Sequence, residues 1–486
     1  MTRPNILLVI TDEERERAWF PPGVRFPNRE RLAANGMRFA NHHVHTFPCT
    51  PSRATILTGR HAARTGMFDN INFNWQQPLD ESIPTLGHLL SSAGYRCGYL
   101  GKWHLGGESR QTGLQQYGFG DWQAPDTHGT PYLGHFIDGR TANRAAQWIT
   151  RHASDPQPWL LVCSFVNPHD IMLYPRFRKP HVRDHGVQLP PNFADDLSAK
   201  PITQRYWRVT CDVTGGIVRD EKAWRRLINA YIDLQMEVDR HIGTVLAALA
   251  SSGAQQNTLV VATSDHGDLA GAHGLRQKAA NLYRENAQVP LTMAWPGTIP
   301  AGQSTERLSG AIDLLPTLLA AAGAPTGDAP PTPLPGRDLS PLWSDPHRLI
   351  RESILVTSDA YSSMGAAGPH RGFLRGIITE THKYGRYFRP GEQSGGRAVA
   401  DLELYDRGAD PAEVDNLAQP QVGRLDAVSL IDESLIDDLD RRLDELIAAE
   451  IGTDDVNLPL PQTRLAALGY LWRRRARAQG VPAPTG

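Results

Sequence analysis

The chain has 486 residues, room for two to four domains or for one large domain with an appendage. Lys and Arg number 50 against 52 Asp and Glu, a formal charge of −2, which argues against nucleic acid or an anionic membrane surface as the main partner. With 40% hydrophobic residues, 21% charged residues and 11 Trp, the composition is that of a packed globular protein and excludes wholesale disorder.

Asn5-Ile-Leu-Leu-Val-Ile10 is apolar on both faces and predicts a strand buried in a parallel sheet, with Asp12 just past its end. This run is too short for a signal-peptide core or a membrane span, so a soluble cytoplasmic protein is expected. Pro51 and Gly59 mark the first turn and the C′ position of a helix that places Cys49 at its N-terminus. Ile83 to Ala93 reads as a helix and Gly94 to Leu100 as the next strand. Trp159 to Val166 predicts another buried strand, ending in Asn167-Pro-His-Asp170. Lys222 to Leu249 carries Ile228, Tyr231, Ile242, Val245, Leu246 and Leu249 at near-helical spacing. Asn257 to Thr263 is a further apolar strand and runs directly into Ser264-Asp-His-Gly267. Strands alternating with helices, with polar clusters after the strands, predict an α/β sheet with a ligand at its carboxyl edge.

The Pro-rich stretch 326–346 reads as a linker or a winding surface loop. Beyond it, Ser353–Thr357, Arg375–Thr379, His382–Tyr387 and Leu402–Tyr405 predict short strands without long helices between them, hence a small antiparallel sheet. Leu430 to Ile451 predicts a charged amphipathic helix. Leu465 to Gly480 predicts another, with Arg473, Arg474, Arg475 and Arg477, read as a solvated helix in preference to a contact in a homo-oligomer. The stretches 68–75, 111–134 and 174–212 read as loops that contact substrate and carry no signature.

Cys49, Cys97, Cys163 and Cys211 form no CxxC pair and are too sparse for a disulfide framework. At a helix N-terminus Cys49 would sit where free N–H groups and the dipole favour an anion, with Arg53 one turn on. A packed thiol beside a surface Arg accounts for that segment equally well. The spacing is too short for the phosphate loop of a cysteine-dependent phosphatase. Asp12 and Asp265 follow buried strands, and with His266 and an oxygen nucleophile they would suit a divalent cation. Taken singly, each is as consistent with a loop carboxylate or a plain turn. Lys102 and His104, two apart, share a face if the segment is extended, and together could hold an anion and donate a proton. His169 and Lys278 carry no signal alone.

Cys49-Thr-Pro-Ser-Arg53, followed by Thr58-Gly59, resembles the signature of the formylglycine-dependent sulfatases, a branch of the alkaline phosphatase superfamily, and its Cys-x-Pro-x-Arg core is intact. Asp12, Gly101-Lys102-Trp-His104, Asn167-Pro-His169-Asp170, Asp265-His266-Gly267 and Lys278 stand in family-like order around it. Leu404-Tyr-Asp406, Asp410-Pro411, Glu413 and Asn416-Leu417 resemble the family's small C-terminal subdomain, so the resemblance runs from about Asn5 to Leu417. It implies an α/β fold, with a large mixed, mostly parallel sheet flanked by helices over 1–345. A C-terminal α+β subdomain with an antiparallel sheet and a helical tail would occupy 346–486. It implies that a formylglycine-generating enzyme oxidises Cys49 to an aldehyde whose hydrate is the nucleophile. Asp12, Glu13, Cys49, Asp265 and His266 would hold one divalent ion, Ca²⁺ or Mn²⁺, with Mg²⁺ a third option. Arg53, Lys102, His104, His169 and Lys278 would contact the sulfate and move protons. His42, His43 and His45 do not occupy family ligand positions and read as strand-to-loop residues.

Two features depart from the commonest pattern. Many sulfatases carry two consecutive aspartates where this chain has Asp12-Glu13, and many arylsulfatases carry Asp-Asn where it has Asp265-His266. Both look more like the choline-sulfatase and phosphonate-monoester-hydrolase branch, and the imidazole favours Mn²⁺. The expected reaction is hydrolysis of a small anionic sulfate monoester to alcohol and sulfate. A phosphonate monoester or phosphodiester hydrolase with the same nucleophile is the alternative. An inactive metal-binding interaction protein is the alternative of another class, and competent side chains at every matched polar position weigh against it.

Overall fold

The computed structural model describes residues 3–16, 20–109, 111–123, 133–176, 181–324, 333–364, 370–419, 432–454, 472–473 and 475–481. Its strands in chain order are β1 (Asn5–Asp12), β2 (Met37–Phe39), β3 (His42–His43), β4 (Arg96–Gly101), β5 (Asp121–Gln123), β6 (Trp159–Pro168) and β7 (Thr258–Ser264). They continue with β8 (Leu291–Ala294), β9 (Gln303–Thr305), β10 (Ser309–Gly310), β11 (Ser353–Ser358), β12 (Phe373–Thr379), β13 (His382–Phe388) and β14 (Asp401–Asp406). The large sheet has the order β5-β4-β6-β1-β7-β8-β2-β9. β1 pairs in parallel with β6 and β7, β4 with β5 and β6, and β2 with β9, while β8 runs antiparallel to both of its neighbours.

The unbroken apolar run of β1 follows from burial on both faces. Ile6, Leu8 and Ile10 pack with Ile56 and Leu57 of the Cys49–Thr58 helix, Leu86 and Leu90 of the Leu86–Ser92 helix, and Leu314 and Leu318 of the Leu314–Ala321 helix. Leu7 and Val9 point the other way, onto Ala145, Trp148 and Ile149 of the Leu133–His152 helix and Val238, Ile242 and Val245 of the Glu221–Ser251 helix. The result is three layers, helices on both sides of a mixed sheet. Asp220 caps the long helix by accepting from Ala223 N at 2.8 Å.

β11 to β14 form a separate antiparallel sheet in sequential order. One face, with Ile354, Val356, Leu374 and Ile378, packs on Val44, Phe47, Leu282 and Leu308 of the main body. The other face lies under Ile436, Leu439, Leu443 and Ile447 of the Glu433–Glu450 helix. Each such side chain contributes roughly 1.5–3 kcal/mol relative to exposure. The chain leading into Cys49 is tied to β11. Thr357 N donates to His45 O at 2.8 Å, and Thr46 and Thr357 form an isolated parallel bridge.

Gly59 ends the Cys49–Thr58 helix at φ +62°, and its N–H donates to Thr55 O at 2.9 Å. A Cβ there would stand 2.8 Å from Leu315 Cδ2. Gly59→Ala is therefore expected to destabilise the fold by about 1–3 kcal/mol, read as a lower urea midpoint at unchanged m-value.

The helix begins at Cys49, so Pro51 lies in its first turn, as expected. Two expectations need correction. The stretch read as loop at 174–212 runs into a helix, Ile202–Gly215. Its buried face includes Thr203, Gln204, Thr210 and Cys211, and that polar, β-branched content hid the helical period. The arginine-rich end leaves Arg473 and Arg477 exposed but packs its other face on the body. Trp472 is buried with its ring 5.2 Å from Tyr206, and Arg475 pairs with Asp212 at 2.8 Å. The rest of the predicted helix up to residue 471, with Arg474, lies outside the described residues, as do 326–332 and 430–431. No helix among the described residues is long and apolar enough to cross a membrane.

Candidate functional site

Four neighbouring parallel strands, β4, β6, β1 and β7, end at the same edge of the sheet. Asp12 is the last residue of β1, and Lys102, His169 and Asp265 each follow directly on β4, β6 and β7. That edge is where open α/β sheets gather ligands. The Cys49–Thr58 helix brings its first residue there. Cys49 Sγ lies 3.1 Å from His266 Nε2 and donates to Asp12 Oδ1 at 3.7 Å. His266 Nδ1 is 3.0 Å from Gly267 O, which assigns the proton to Nδ1 and leaves the Nε2 lone pair facing the sulfur.

Arg53, fully buried, fixes the two aspartates with one fork. Its Nη2 meets Asp12 Oδ2 at 2.9 Å and its Nε meets Asp265 Oδ2 at 2.8 Å. Its Nη1 donates to Ser164 Oγ at 2.8 Å and to Lys102 O at 2.9 Å. Each carboxylate thus spends Oδ2 on the guanidinium and turns Oδ1 inward. Asp265 Oδ1 accepts from Glu13 N at 3.1 Å and His266 N at 2.9 Å. Lys102 Nζ pairs with Asp12 Oδ2. One donor atom each from Asp12, Cys49, Asp265 and His266 lies within 4.8 Å of the others.

Glu13 points to a different side. Its Oε2 is 2.9 Å from Lys278 Nζ and 3.7 Å from His169 Nε2, and its Oε1 is buried without a hydrogen-bond partner. Asp12, Glu13 and His169 form a second grouping of donors within 4.8 Å. Glu13 sits at φ +67°, and Tyr231 holds the turn by donating to Glu13 O at 2.5 Å and accepting from Arg15 N at 3.0 Å. His104 and Gln277, next to Lys278, are also left-handed at φ +62°. Such backbone persists only where surrounding contacts over-determine it.

The turn at His104 corrects the shared-face argument. Lys102 reaches Asp12, whereas His104 Nε2 meets Asn72 Oδ1 at 2.5 Å and its carbonyl accepts from Thr50 Oγ1 at 2.7 Å. His104 is thus linked to the residue beside Cys49 rather than aligned with Lys102. His42 and His43, in β3, contact Ser309 Oγ and Asn41 Oδ1 instead of the Cys49 donors. Ser164, Tyr231 and Asn72 were missed in the sequence. Ser164 had a signal, a lone hydroxyl in the apolar run of β6. Tyr231 was read as one of many core positions, and Asn72 stands in a stretch without pattern.

Electrostatics follow from burial. Burial would raise the Asp12 carboxyl, but Lys102, His169, Arg53 and His266 together hold it well below the usual range. Burial pushes Glu13 well above its usual value, which Lys278 only partly offsets. Burial, then the charge of Asp12, pushes the Cys49 thiol up to about 11. Burial and then Lys278 hold His169 well below the usual imidazole range. Lys278 is raised despite burial, because Cys49, Glu13 and Asp12 favour its charged form.

Known proteins share this architecture. A family model described as Sulfatase matches residues 4–324, and one described as N-sulphoglucosamine sulphohydrolase, C-terminal, matches 271–439. The choline-sulfatase of Rhizobium meliloti is 28% identical, over 88% of this chain and 85% of its own. Human arylsulfatase A is 28% identical, over 85% of this chain and 83% of its own. The structure of a phosphonate monoester hydrolase from Silicibacter pomeroyi superposes with a TM-score of 0.69 at 22% identity, over 94% of this chain and 97% of that one. With a family model spanning the sheet and the strand-end residues around Cys49, the chain belongs to the sulfatase family, and its enzyme class is that of the sulfuric ester hydrolases.

Proposed function

We propose that the chain hydrolyses an aryl or alkyl sulfate monoester through a formylglycine hydrate derived from Cys49, at a site that holds one divalent ion. The observation that carries this reading is the convergence of Asp12, His266 and Asp265 on the Cys49 sulfur above the Arg53 fork. The sulfur marks where a hydrate oxygen would stand.

Asp12, Asp265, His266 and the Cys49-derived oxygen would hold the ion, whereas Glu13, expected among the ligands, is turned to Lys278 and His169. Carboxylate oxygens with one imidazole suit Ca²⁺ or Mn²⁺, with Mg²⁺ third. When bound, the ion supplies Lewis-acid polarisation and lowers the pKa of an adjacent oxygen. The protein's own charges are near balance, since Arg53, Lys102 and Lys278 face Asp12, Glu13 and Asp265. Such a balance suits a site that takes a cation and an anion together.

One hydrate hydroxyl, having lost its proton to solvent, attacks sulfur as the oxyanion, and the new O–S bond forms as the bond to the alcohol oxygen breaks. The leaving oxygen takes its proton from the side of His169 and Lys278. His104 then takes the proton of the second hydroxyl. The C–O bond to sulfate breaks as the aldehyde C=O forms, and sulfate leaves. Water adds to the aldehyde and restores the hydrate. Arg53 and Lys102 hold the carboxylates throughout. The same reading divides the chain into a catalytic unit, 1–345, and a C-terminal unit, 346–486, with a formylglycine-generating enzyme as partner.

Peptide mass spectrometry with carbonyl trapping tests the nucleophile. The peptide containing Cys49 is expected to lose its thiol and gain a carbonyl in the native host, and activity in recombinant material to track the converted fraction. A fully active enzyme with an unmodified thiol would overturn the reading. The second reading, a phosphonate monoester or phosphodiester hydrolase with the same nucleophile, is favoured by the imidazole of His266 beside the sulfur. Rates on aryl sulfate and aryl phosphonate esters under one set of conditions separate the two.

A further inference from the structure

His169 and Lys278 reach the site from two separate segments and meet across one carboxylate. Glu13 Oε2 lies 3.7 Å from His169 Nε2 and 2.9 Å from Lys278 Nζ. Their separation is set by the backbone behind each. His169 opens the short helical turn His169–Leu173, and Lys278 is preceded by Arg276 and Gln277, all three of them buried.

Those three consecutive residues grip the turn and the residue after it. Lys278 Nζ reaches Met172 Sδ at 3.8 Å. Gln277 Nε2 donates to Met172 O at 2.5 Å. Arg276 Nη1 donates to Tyr174 O, just past the turn. In extended backbone successive side chains point to opposite faces, so three in a row could not address one segment. The left-handed φ of +62° at Gln277 makes it possible, and these contacts hold that backbone in place. Arg276 also ties the turn to the body of the protein. Its Nη2 donates to Cys211 O at 2.5 Å and to Gly216 O, at the end of the Ile202–Gly215 helix. A guanidinium there complements the negative end of the helix dipole. Gly215 leaves it room, since a Cβ would stand 3.2 Å from both Arg276 Nη1 and Met172 O. Trp207 Nε1 holds the backbone of this segment by donating to Arg276 O at 3.0 Å.

We propose that Arg276 and Gln277 are positioning residues for departure of the alcohol: they clamp the turn that carries His169 against the segment that carries Lys278. The inference rests on the reading above that His169 and Lys278 serve the leaving oxygen. Both side chains end on backbone carbonyls, so they act through that pair rather than on the ester. The consequence is selective. A basic alcohol needs its proton in the transition state, whereas a nitrophenolate departs with little help. A loosened pair therefore slows esters of basic alcohols most, and a general loss of folded enzyme slows all esters alike.

The test measures kcat/KM of the full-length protein on aryl sulfates from nitrophenyl to methoxyphenyl, or on the matching phosphonates under the second reading. Rates are normalised to the converted fraction of Cys49. Gln277→Met keeps the side-chain length and loses the donor. Arg276→Lys keeps the charge and cannot span three carbonyls. Each is expected to slow the methoxyphenyl ester by about 10–100-fold, part of the ~10²–10⁴-fold that a positioned acid supplies, and the nitrophenyl ester by less than about threefold. Lys278→Ala is the reference. If it steepens the dependence on the alcohol's pKa, then an equal loss on every ester, or no loss, in Gln277→Met and Arg276→Lys overturns the proposal. If Lys278→Ala slows all esters alike, the assignment of the leaving oxygen to this pair falls first, and the proposal with it. Where Arg276→Lys fails to fold, Gln277→Met alone decides.

Discussion

Cys49→Ser is expected to release about one equivalent of alcohol per site and then stall. Serine places one hydroxyl where the Cys49 sulfur now stands, 3.1 Å from His266 Nε2 and at the start of a helix. It can attack sulfur, so the first step persists at a reduced rate. It has no second hydroxyl, so the ester cannot collapse to an aldehyde. Steady-state turnover should fall by roughly 10³–10⁶-fold, the range for losing a nucleophile that acts as a unit with its partners. Intact-mass analysis should show a sulfated chain, or a phosphonylated one under the second reading. Sustained turnover near the wild-type rate would mean that water resolves the intermediate directly, and the hydrate would be unnecessary.

The second large effect is expected at Asp265. Its Oδ2 neutralises buried Arg53 and its Oδ1 faces the sulfur side. Asp265→Ala strands half of the Arg53 fork without a counter-charge, which costs about 3–5 kcal/mol. Asp265→Asn is nearly isosteric and keeps a carbonyl oxygen for the N–H groups of Glu13 and His266. In that variant kcat should fall by on the order of 10²–10⁴-fold with a native circular dichroism spectrum. Bound metal should drop from about one ion per chain toward none in the same sample. Wild-type activity in a demonstrably metal-free Asp265→Asn protein would remove both the ion and this carboxylate from the mechanism.

Much of this site was legible because β1, β6 and β7 are buried on both faces and announce themselves as apolar runs. Each run is followed by its polar cluster, so Asp12, His169 and Asp265 could be placed at one sheet edge from the sequence. Cys49 and Arg53 could be placed on one helix for the same kind of reason, Gly59 marking its end. What lay beyond the sequence was set by distant partners. The short strands β2, β5, β8 and β9 span three or four residues each, too few for a period to show. The pairing of Glu13 with Lys278 joins residues 265 positions apart. The departure of His104 from Lys102 depends on one left-handed backbone position, which Trp103-His104-Leu105 does not advertise. The C-terminal sheet was legible as strands, but its role in gripping residues 45–47 through β11 was not.

The burial of Cys49 has a consequence for biosynthesis. In the folded chain its side chain has no exposed surface, and His266, which closes over the sulfur, lies 217 residues further along the chain. β11, which fixes the residues before Cys49, is made later still. At about 5–20 residues per second, a ribosome takes roughly 10–40 s to travel from Cys49 to His266. During that interval the Cys49–Thr58 segment has neither its strand β7 nor its C-terminal clamp, and the thiol is open to an enzyme that must grip it. On the formylglycine reading, oxidation is therefore a race against translation. Slowing synthesis after residue 60 should raise the converted fraction, and refolded, full-length, unmodified protein should be a poor substrate for the oxidising enzyme.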